Sequence, residues 1–205
     1  AIDFSSHLLQ AFESAPHVGG VMNENELEKI DKFFNMMEDI MIQRKTMIGG
    51  NYSQYVKVNG YKFPSIVIAI DNYASFREKT DDKYEKILWE ISRDGAGMGL
   101  FLAISAGGYG AADIQNKIAE NLRNVVALDM GEKMKYCDVL RINRFDVLPT
   151  SGVKGRGLVP YAGTVLEFHT ALSIFADDDY SRIEKIREEC IGMREQYQGR
   201  IAMCV

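Results

Sequence analysis

Apolar residues form two kinds of pattern along the chain: short continuous runs, which are typical of buried strands, and runs at helical spacing. The apolar run at 66–70 is β-branched, follows a proline and ends in Asp71, and residues 100–105 form a second such run. Helical spacing predicts a long amphipathic helix that ends before Gly49 and a second helix at about 82–93. This alternation of strands and helices predicts an α/β fold with a parallel, layered sheet.

Capping signals set the expected ends of these helices. Asn23, with Glu26 three residues later, resembles a capping box, so the long helix is expected from there to about Met47. Gly95 is predicted to end the second helix. The polar and aromatic stretch at 51–62 is expected to be irregular, as an exposed hairpin or loop.

The second half of the chain predicts shorter elements, and its last two strands, joined by a tight turn, are expected to pair antiparallel. The predicted elements are helices at 112–121, 132–140 and 180–196 and strands at 124–128, 157–161 and 165–170. The chain shows no internal repeat and no low-complexity segment, so a single domain over residues 1–205 is the simplest interpretation.

Composition narrows the classes of function. The formal net charge of −5 disfavours strong nucleic-acid binding, which needs concentrated positive charge. No apolar run approaches the roughly 18 residues of a membrane span. The three cysteines, Cys137, Cys190 and Cys204, lack metal-type spacing and indicate reduced thiols in a cytoplasmic setting. The chain opens at Ala1 without a methionine or a signal peptide, and we expect it to be a piece of a longer polypeptide.

Asp71 is the strongest candidate for chemistry. Open α/β sheets bind ligands at the carboxyl ends of their strands, and an acid there is the form of a Walker B strand, whose Asp helps to hold the Mg²⁺ of a nucleotide. Asn72 stands where a hydrolysing ATPase needs a Glu to activate water. The competing interpretation is a plain core strand whose terminal Asp caps the next turn.

The glycine clusters give weaker signals. Residues 95–99 have the wrong spacing for a dinucleotide fingerprint and lie between a helix and a strand, so a helix stop and a tight turn explain them. Residues 107–110 follow a strand, so their backbone N–H groups could face an anion, and we favour a connection bordering a site, at a sensor position. The chain contains no Gly-Lys dipeptide and therefore no P-loop.

Other catalytic arrangements lack support. The three histidines, His7, His17 and His169, are dispersed, and no Ser occupies a Gly-x-Ser-x-Gly elbow. The acidic triplet at 177–179 is expected to be a solvated helix entry, because acids favour a helix N-terminus.

Several segments, in order, resemble one family: the FtsK/SpoIIIE-type ATPase modules of type VII (ESX) secretion motors, the EssC/EccC proteins. The resemblance covers nearly the whole chain. The matching segments are residues 2–6, 16–21, 66–72, 92–95, 155–159 and 166–172. The Asp71-Asn72 pair resembles the degenerate second or third module of such motors more than the first.

The resemblance implies a RecA-like, P-loop NTPase-type fold whose P-loop strand and helix lie upstream of Ala1. It also implies that Asp71, Asn72, Ser105 and Arg156 belong to a nucleotide-binding set, with Asp71 holding Mg²⁺ through water. ATP and Mg²⁺ are therefore the cofactors of an intact module. At the sensor position, relatives often carry Thr and Asn where Ser105 and Ala106 stand here. No catalytic residue is assigned, and loss of the general base alone would typically cost on the order of 10²–10⁴ in rate.

The same resemblance implies the partners and the location. They are neighbouring ATPase modules of the same chain, small WXG-type secretion substrates and a homo-oligomeric ring, within the cytoplasmic part of a membrane-anchored protein. The expected function is regulation or substrate recognition in a secretion motor. The alternatives are an active ATP-hydrolysing translocase of DNA or protein, cut before its P-loop, and an unrelated α/β binding protein in which Asp71 is structural.

Overall fold

The computed structural model describes residues 1–143 and 152–203. Their Cα positions divide the chain into two compact units, Ala1–Gly107 together with Ile174–Val205, and Gly108–Ser173. The prediction of one domain over the whole chain stays a prediction.

The first unit is built on a parallel sheet, as predicted. Its strands are β1 (Ile2–Asp3), β2 (Met22–Asn23), β3 (Ile66–Asp71) and β4 (Leu100–Ile104), in the spatial order β2-β1-β3-β4. Strand β3 pairs in parallel with β1 on one side and with β4 on the other. The Asp-ended run is therefore an inner strand of a parallel sheet.

The helices of the first unit are α1 (Leu27–Ile48), α2 (Tyr52–Asn59), α3 (Tyr73–Thr80), α4 (Glu85–Asp94) and α7, which runs over Asp179–Gln196, with 3-10 turns at Leu8–Phe12 and Gly95–Met98. The second unit contains the helices α5 (Asn116–Ala119) and α6 (Lys133–Leu140). In the described part of the chain no helix combines the length and the apolar character that a membrane crossing requires.

The sheet is packed more tightly on one face than on the other. Ile68 and Ile70 of β3 are almost fully buried. Val67, which faces the opposite side of the sheet, is 63% exposed. Phe101 on β4 is exposed as well. The continuous apolar run predicted a strand buried on both faces, and the structure buries only one of them fully.

Helix α1 begins three residues later than the capping pattern predicted, since its N-cap is Glu26 and not Asn23. The Glu26 carboxylate does accept the Asn23 N–H, at 3.2 Å, as in a capping box. However, Asn23 lies in β2 and its side chain accepts the Asn25 N–H, so the first helical residue is Leu27. The predicted end is confirmed, because Gly49 takes the left-handed conformation at φ 70°.

Arg44 anchors the C-terminal half of α1. Its side chain is only 3% exposed, and its guanidinium donates to the carbonyl oxygens of Met98, at 2.9 Å, and of Pro64, at 2.8 Å. Burial lowers the pKa of this guanidinium. Because Pro64 precedes β3 and Met98 precedes β4, one side chain ties the helix to the starts of both strands.

The expectation of an irregular segment at 51–62 was wrong, since α2 lies there. Asn51 caps this helix by accepting the Gln54 N–H at 3.0 Å, and Gly60 ends it at φ 71°. Tyr52 is buried and its hydroxyl donates to the Phe63 carbonyl oxygen at 2.7 Å. Both caps are visible in the sequence, and residues 52, 55 and 56 have helical spacing, but eight residues are too short a stretch for this pattern to stand out.

Helix α4 ends at Asp94, directly before Gly95, so the predicted helix end is confirmed, but Gly95 does not take the left-handed conformation. It has right-handed φ, and the chain continues as a 3-10 turn to Gly99, which takes the left-handed conformation at φ 72°. A Cβ at Gly95 would lie 2.7 Å from the Leu100 carbonyl oxygen, so close backbone approach explains the glycine there.

The second unit contains the predicted antiparallel pair. Strands β5 (Arg156–Tyr161) and β6 (Thr164–His169) pair antiparallel, and helix α6 matches its prediction. The predicted strand at 124–128 is reduced to one bridge between Ala127 and Leu158, and the helix predicted at 112–121 shortens to α5.

Helix α7 confirms the last predicted helix and its acidic entry. The Asp178 carboxylate accepts the Ser181 N–H at 2.8 Å, and this contact lowers the Asp178 pKa. The helix packs on the Leu8–Phe12 turn through Ile186 and Cys190. Cys137 and Cys190 are buried, and Cys204 lies outside the described residues.

Candidate functional site

The carboxyl end of β3 brings two of the predicted site residues together. Asp71 is the last residue of β3 and is partly exposed. Ser105 follows β4, and its backbone N–H donates to the Ile70 carbonyl oxygen at 3.0 Å, which continues the pairing of the two strands. The Ser105 hydroxyl donates to Asp71 Oδ1. A carboxylate and a hydroxyl therefore meet at the edge where open α/β sheets bind ligands.

Asn72, the third predicted residue, is committed to local structure. Its backbone is left-handed, at φ 57°, a conformation that Asn tolerates better than most residues. Its side-chain NH₂ donates to the Phe4 carbonyl oxygen at 3.0 Å and to Ser75 Oγ at 2.8 Å. Its own N–H donates to Ser105 Oγ at 3.0 Å. The amide thus links β1, β3, β4 and the start of α3, and it has no basic atom for proton abstraction.

Asp3 is a residue of this edge that sequence reasoning missed. It ends β1 and is the register partner of Asp71. Its side chain is fully buried and accepts the N–H groups of Ser5 at 3.1 Å, His7 at 3.3 Å and Leu9 at 3.0 Å. The opening residues resemble the end of a strand in the sequence, but nothing local indicates that the loop after this strand returns to bind the Asp3 carboxylate.

The residues fit part of a magnesium-nucleotide site. Asp71 can hold a metal-bound water, because it is partly exposed and Ser105 donates to only one of its oxygens. Within the described ranges no group of three His, Cys, Asp or Glu side chains is placed to hold a metal ion directly. The sequence also lacks the Gly-Lys dipeptide that cradles β- and γ-phosphates. These residues alone therefore do not fit a bound nucleotide.

The turn at 107–110 does not offer the anion site that its glycines suggested. The Gly110 N–H donates to Asp113 Oδ2 at 3.0 Å. A Cβ on Gly108 would lie 2.4 Å from the same carboxylate oxygen. The Asp113 carboxylate thus already occupies the place that an anion would take at this turn.

Arg156, the fourth predicted residue, lies in the second unit at the start of β5. Its guanidinium Nη1 is 3.1 Å from Glu167 Oε1 on β6. It also lines a cavity of about 320 Å³ together with Asp129 and Lys154. Within this unit, Arg156 acts as a cross-strand ion-pair partner on the antiparallel pair.

Comparisons with known proteins agree with the sequence resemblance, although no family model matches the chain. The type VII secretion system protein EssC of Staphylococcus aureus strain MRSA252 is 26% identical over 202 residues, which cover 96% of this chain and 13% of that protein. The chain therefore spans about 13% of the length of this curated relative.

Two solved structures share the fold. The structure of EssC ATPases 2 and 3 from Geobacillus thermodenitrificans has a TM-score of 0.82 and 23% identity over 96% of this chain and 37% of that one. The structure of Thermomonospora curvata EccC ATPases 2 and 3, in complex with a signal sequence peptide, has a TM-score of 0.81 and 19% identity over 100% of this chain and 37% of that one. The predicted fold class is confirmed.

Proposed function

We propose, from the premise that the chain is an EssC/EccC-like ATPase module, that it serves in regulation or substrate recognition within a type VII secretion motor and does not hydrolyse ATP by itself. The observation that carries this proposal is Asn72, an amide held by hydrogen bonds at the position that a catalytic carboxylate would occupy.

The geometry explains why hydrolysis is not expected. An amide cannot take a proton from water at neutral pH, and general-base catalysis typically contributes on the order of 10²–10⁴ in rate. Asn72 also caps α3 and bonds the Phe4 carbonyl oxygen, so even a Glu at this position would have to give up these contacts to reach a water. The position therefore has a structural task that competes with catalysis.

Substrate recognition is supported by the relative that has been solved with a signal sequence peptide. By this proposal the chain binds the C-terminal segment of a small WXG-type substrate and works beside other ATPase modules of a membrane-anchored protein, on its cytoplasmic side. A homo-oligomeric ring is part of the same proposal. The net charge of −5 gives no support to strong binding of nucleic acid.

Calorimetric titration tests both halves of this proposal on the 205-residue chain. MgATP is expected to give neither binding heat nor phosphate release, in the wild type and in Asn72→Glu alike. A C-terminal peptide of a small WXG-type substrate is expected to bind. Asp71→Ala should leave peptide binding unchanged, as should the control Asp39→Ala on the exposed side of α1.

Magnesium-dependent ATP turnover that Asp71→Ala abolishes and Asp39→Ala preserves would instead support the active translocase. Absence of peptide binding would remove the recognition half of the proposal.

A further inference from the structure

A groove of about 660 Å³ lies in the first unit, away from the carboxyl edge of the sheet. One wall is the C-terminal half of α1, with Met41, Ile42 and Lys45. The other wall is α4, with Glu90 and Arg93, and the floor is the 3-10 turn that follows α4. A volume of this size accommodates several side chains of a bound segment.

The groove is built from fixed parts. A Cβ on Gly97 would lie 2.5 Å from the Gly50 carbonyl oxygen, so the floor exists only because two backbone segments touch there without side chains. Directly beneath it, Arg44 binds the Met98 carbonyl oxygen. This hydrogen bond fixes helix α1 to the 3-10 turn that forms the floor.

The α1 wall presents apolar surface to solvent. Ile42 is 68% exposed although it is a large aliphatic residue in the middle of a helix. Exposed apolar side chains beside a groove are typical of surfaces that bind a partner.

Two cationic and two acidic residues line this groove, with Lys45 on the α1 wall and the other three, Glu90, Arg93 and Asp94, on the α4 side. The stretch from Ile40 to Ile70, which includes the α1 wall, contains no Asp or Glu. Lys45 is exposed, and its ammonium is near enough to Asp94 to help lower the pKa of that carboxyl. The α1 wall thus offers a solvent-exposed ammonium next to apolar side chains.

The α4 wall is largely neutral. The Arg93 guanidinium donates to both oxygens of Asp94, at 2.9 and 2.6 Å, which also lowers the Asp94 pKa. The same guanidinium lies 4.2 Å from the centre of the Trp89 ring. Glu90 is the remaining charge on this wall, so the groove as a whole favours carboxylates on the α1 side only.

We propose that this groove binds an acidic, apolar segment of a protein partner, with its apolar side chains between α1 and α4 and a carboxylate on Lys45. The apolar walls favour a protein segment over a nucleic acid, which binds mainly through contacts of several cationic residues with its phosphates. This inference rests on the proposed recognition function and assigns that function a place and a chemistry.

Trp89 is the only tryptophan of the chain and reports on this groove through its contact with Arg93. The probes are a short synthetic amphipathic peptide with leucines at helical spacing and glutamates between them, and a matched peptide with every glutamate replaced by lysine. The acidic peptide is expected to change the Trp89 emission on binding, and the lysine peptide is expected to bind about tenfold more weakly.

Two exposed positions test the location without threatening the fold. Lys45→Glu and Ile42→Asp should each weaken binding of the acidic peptide by about tenfold. Lys32→Glu makes the same charge change on the same helix about 20 Å away and should have no effect. Thermal unfolding of each variant confirms that the fold is retained.

Unchanged affinity of the acidic peptide for Lys45→Glu and Ile42→Asp would overturn the groove as the site. Equal or tighter binding of the lysine peptide, or no binding of the acidic one, would overturn its proposed chemistry. Displacement of the acidic peptide by a short single-stranded oligonucleotide would show that the groove takes nucleic acid instead. None of these results touches the recognition function, which the titration with the WXG-type substrate peptide decides independently.

Discussion

Asp3 and Asp71 end neighbouring parallel strands and are register partners, yet the structure uses their carboxylates in opposite ways. Asp3 is fully buried and accepts three backbone N–H groups of the loop that follows it. Asp71 is partly exposed and has the Ser105 hydroxyl as its side-chain partner. An acid at a strand end is thus a structural residue when the following loop donates its N–H groups to the carboxylate. It is a candidate ligand when the following loop leaves the carboxylate accessible.

The direction of each following loop decides the difference. After β1 the chain curls back over Asp3 through residues 5–9, so three N–H groups point at the carboxylate. After β3 the left-handed backbone of Asn72 turns the chain directly into α3, and the helix N-terminus is capped by Asn72 rather than by Asp71.

The largest expected effect comes from Asp3→Asn. An amide presents an NH₂ group to N–H donors that need an acceptor, and a buried unsatisfied donor costs about 1–3 kcal/mol. We expect the free energy of unfolding to fall by about 3 kcal/mol. Urea unfolding measures it, and a loss below that of Asp71→Asn would contradict the structural role assigned to Asp3.

Asn72→Ala is expected to cost about 2 kcal/mol, because Ala tolerates the left-handed region less well than Asn and the bonds to Phe4 and Ser75 are lost. Asn72→Gly removes the same bonds without the backbone penalty and should cost about 1 kcal/mol. The difference between the two variants in urea unfolding isolates the conformational contribution. Equal losses would show that the left-handed backbone at this position carries no cost.

Asp71→Asn should lower the free energy of unfolding by less than about 1 kcal/mol, because the side chain is partly exposed and an amide oxygen can still accept from Ser105. The same urea series measures it. A loss as large as that of Asp3→Asn would make Asp71 a structural residue and would remove the support for a nucleotide-type site at this position.

The smallest expected effect involves Asp31, an acid on the surface of α1. The Lys83 ammonium, followed by the Tyr84 hydroxyl, lowers the Asp31 pKa. A lowered native pKa gives stability that is present above the unfolded value of about 3.9 and is lost as the pH falls through the native value. Asp31→Asn should therefore cost less than about 1 kcal/mol at pH 7 and nothing in strong acid.

Urea unfolding of Asp31→Asn and of the wild type, both at pH 7 and in strong acid, provides the measurement. A difference between them that persists in strong acid would contradict the ion-pair origin of the effect. It would show that contacts other than the ion pair with Lys83 stabilise this side chain.

Much of the fold could be predicted because its signals are local. Strands β3 and β4 appear as continuous apolar runs, the acids before α7 supply a visible cap, and the tight turn at 162–163 predicts the antiparallel pairing of β5 with β6. Helix α2 was missed because its apolar residues, at 52, 55 and 56, form only one short helical pattern. The site was predicted in part: Asp71 and Ser105 lie at the ends of adjacent strands and meet, whereas no local signal shows that the loop after β1 buries Asp3.

The sequence alone determined the order of the elements, the acid at the end of β3 and the amide that follows it, because apolar runs and side-chain types are properties of neighbouring residues. Only the tertiary structure decided which strand-end carboxylate is buried and which is open, and which lysine of the acid-free stretch lies beside a groove. These outcomes depend on where a loop returns and on which helices pack together, and both are set by contacts between residues far apart in the chain.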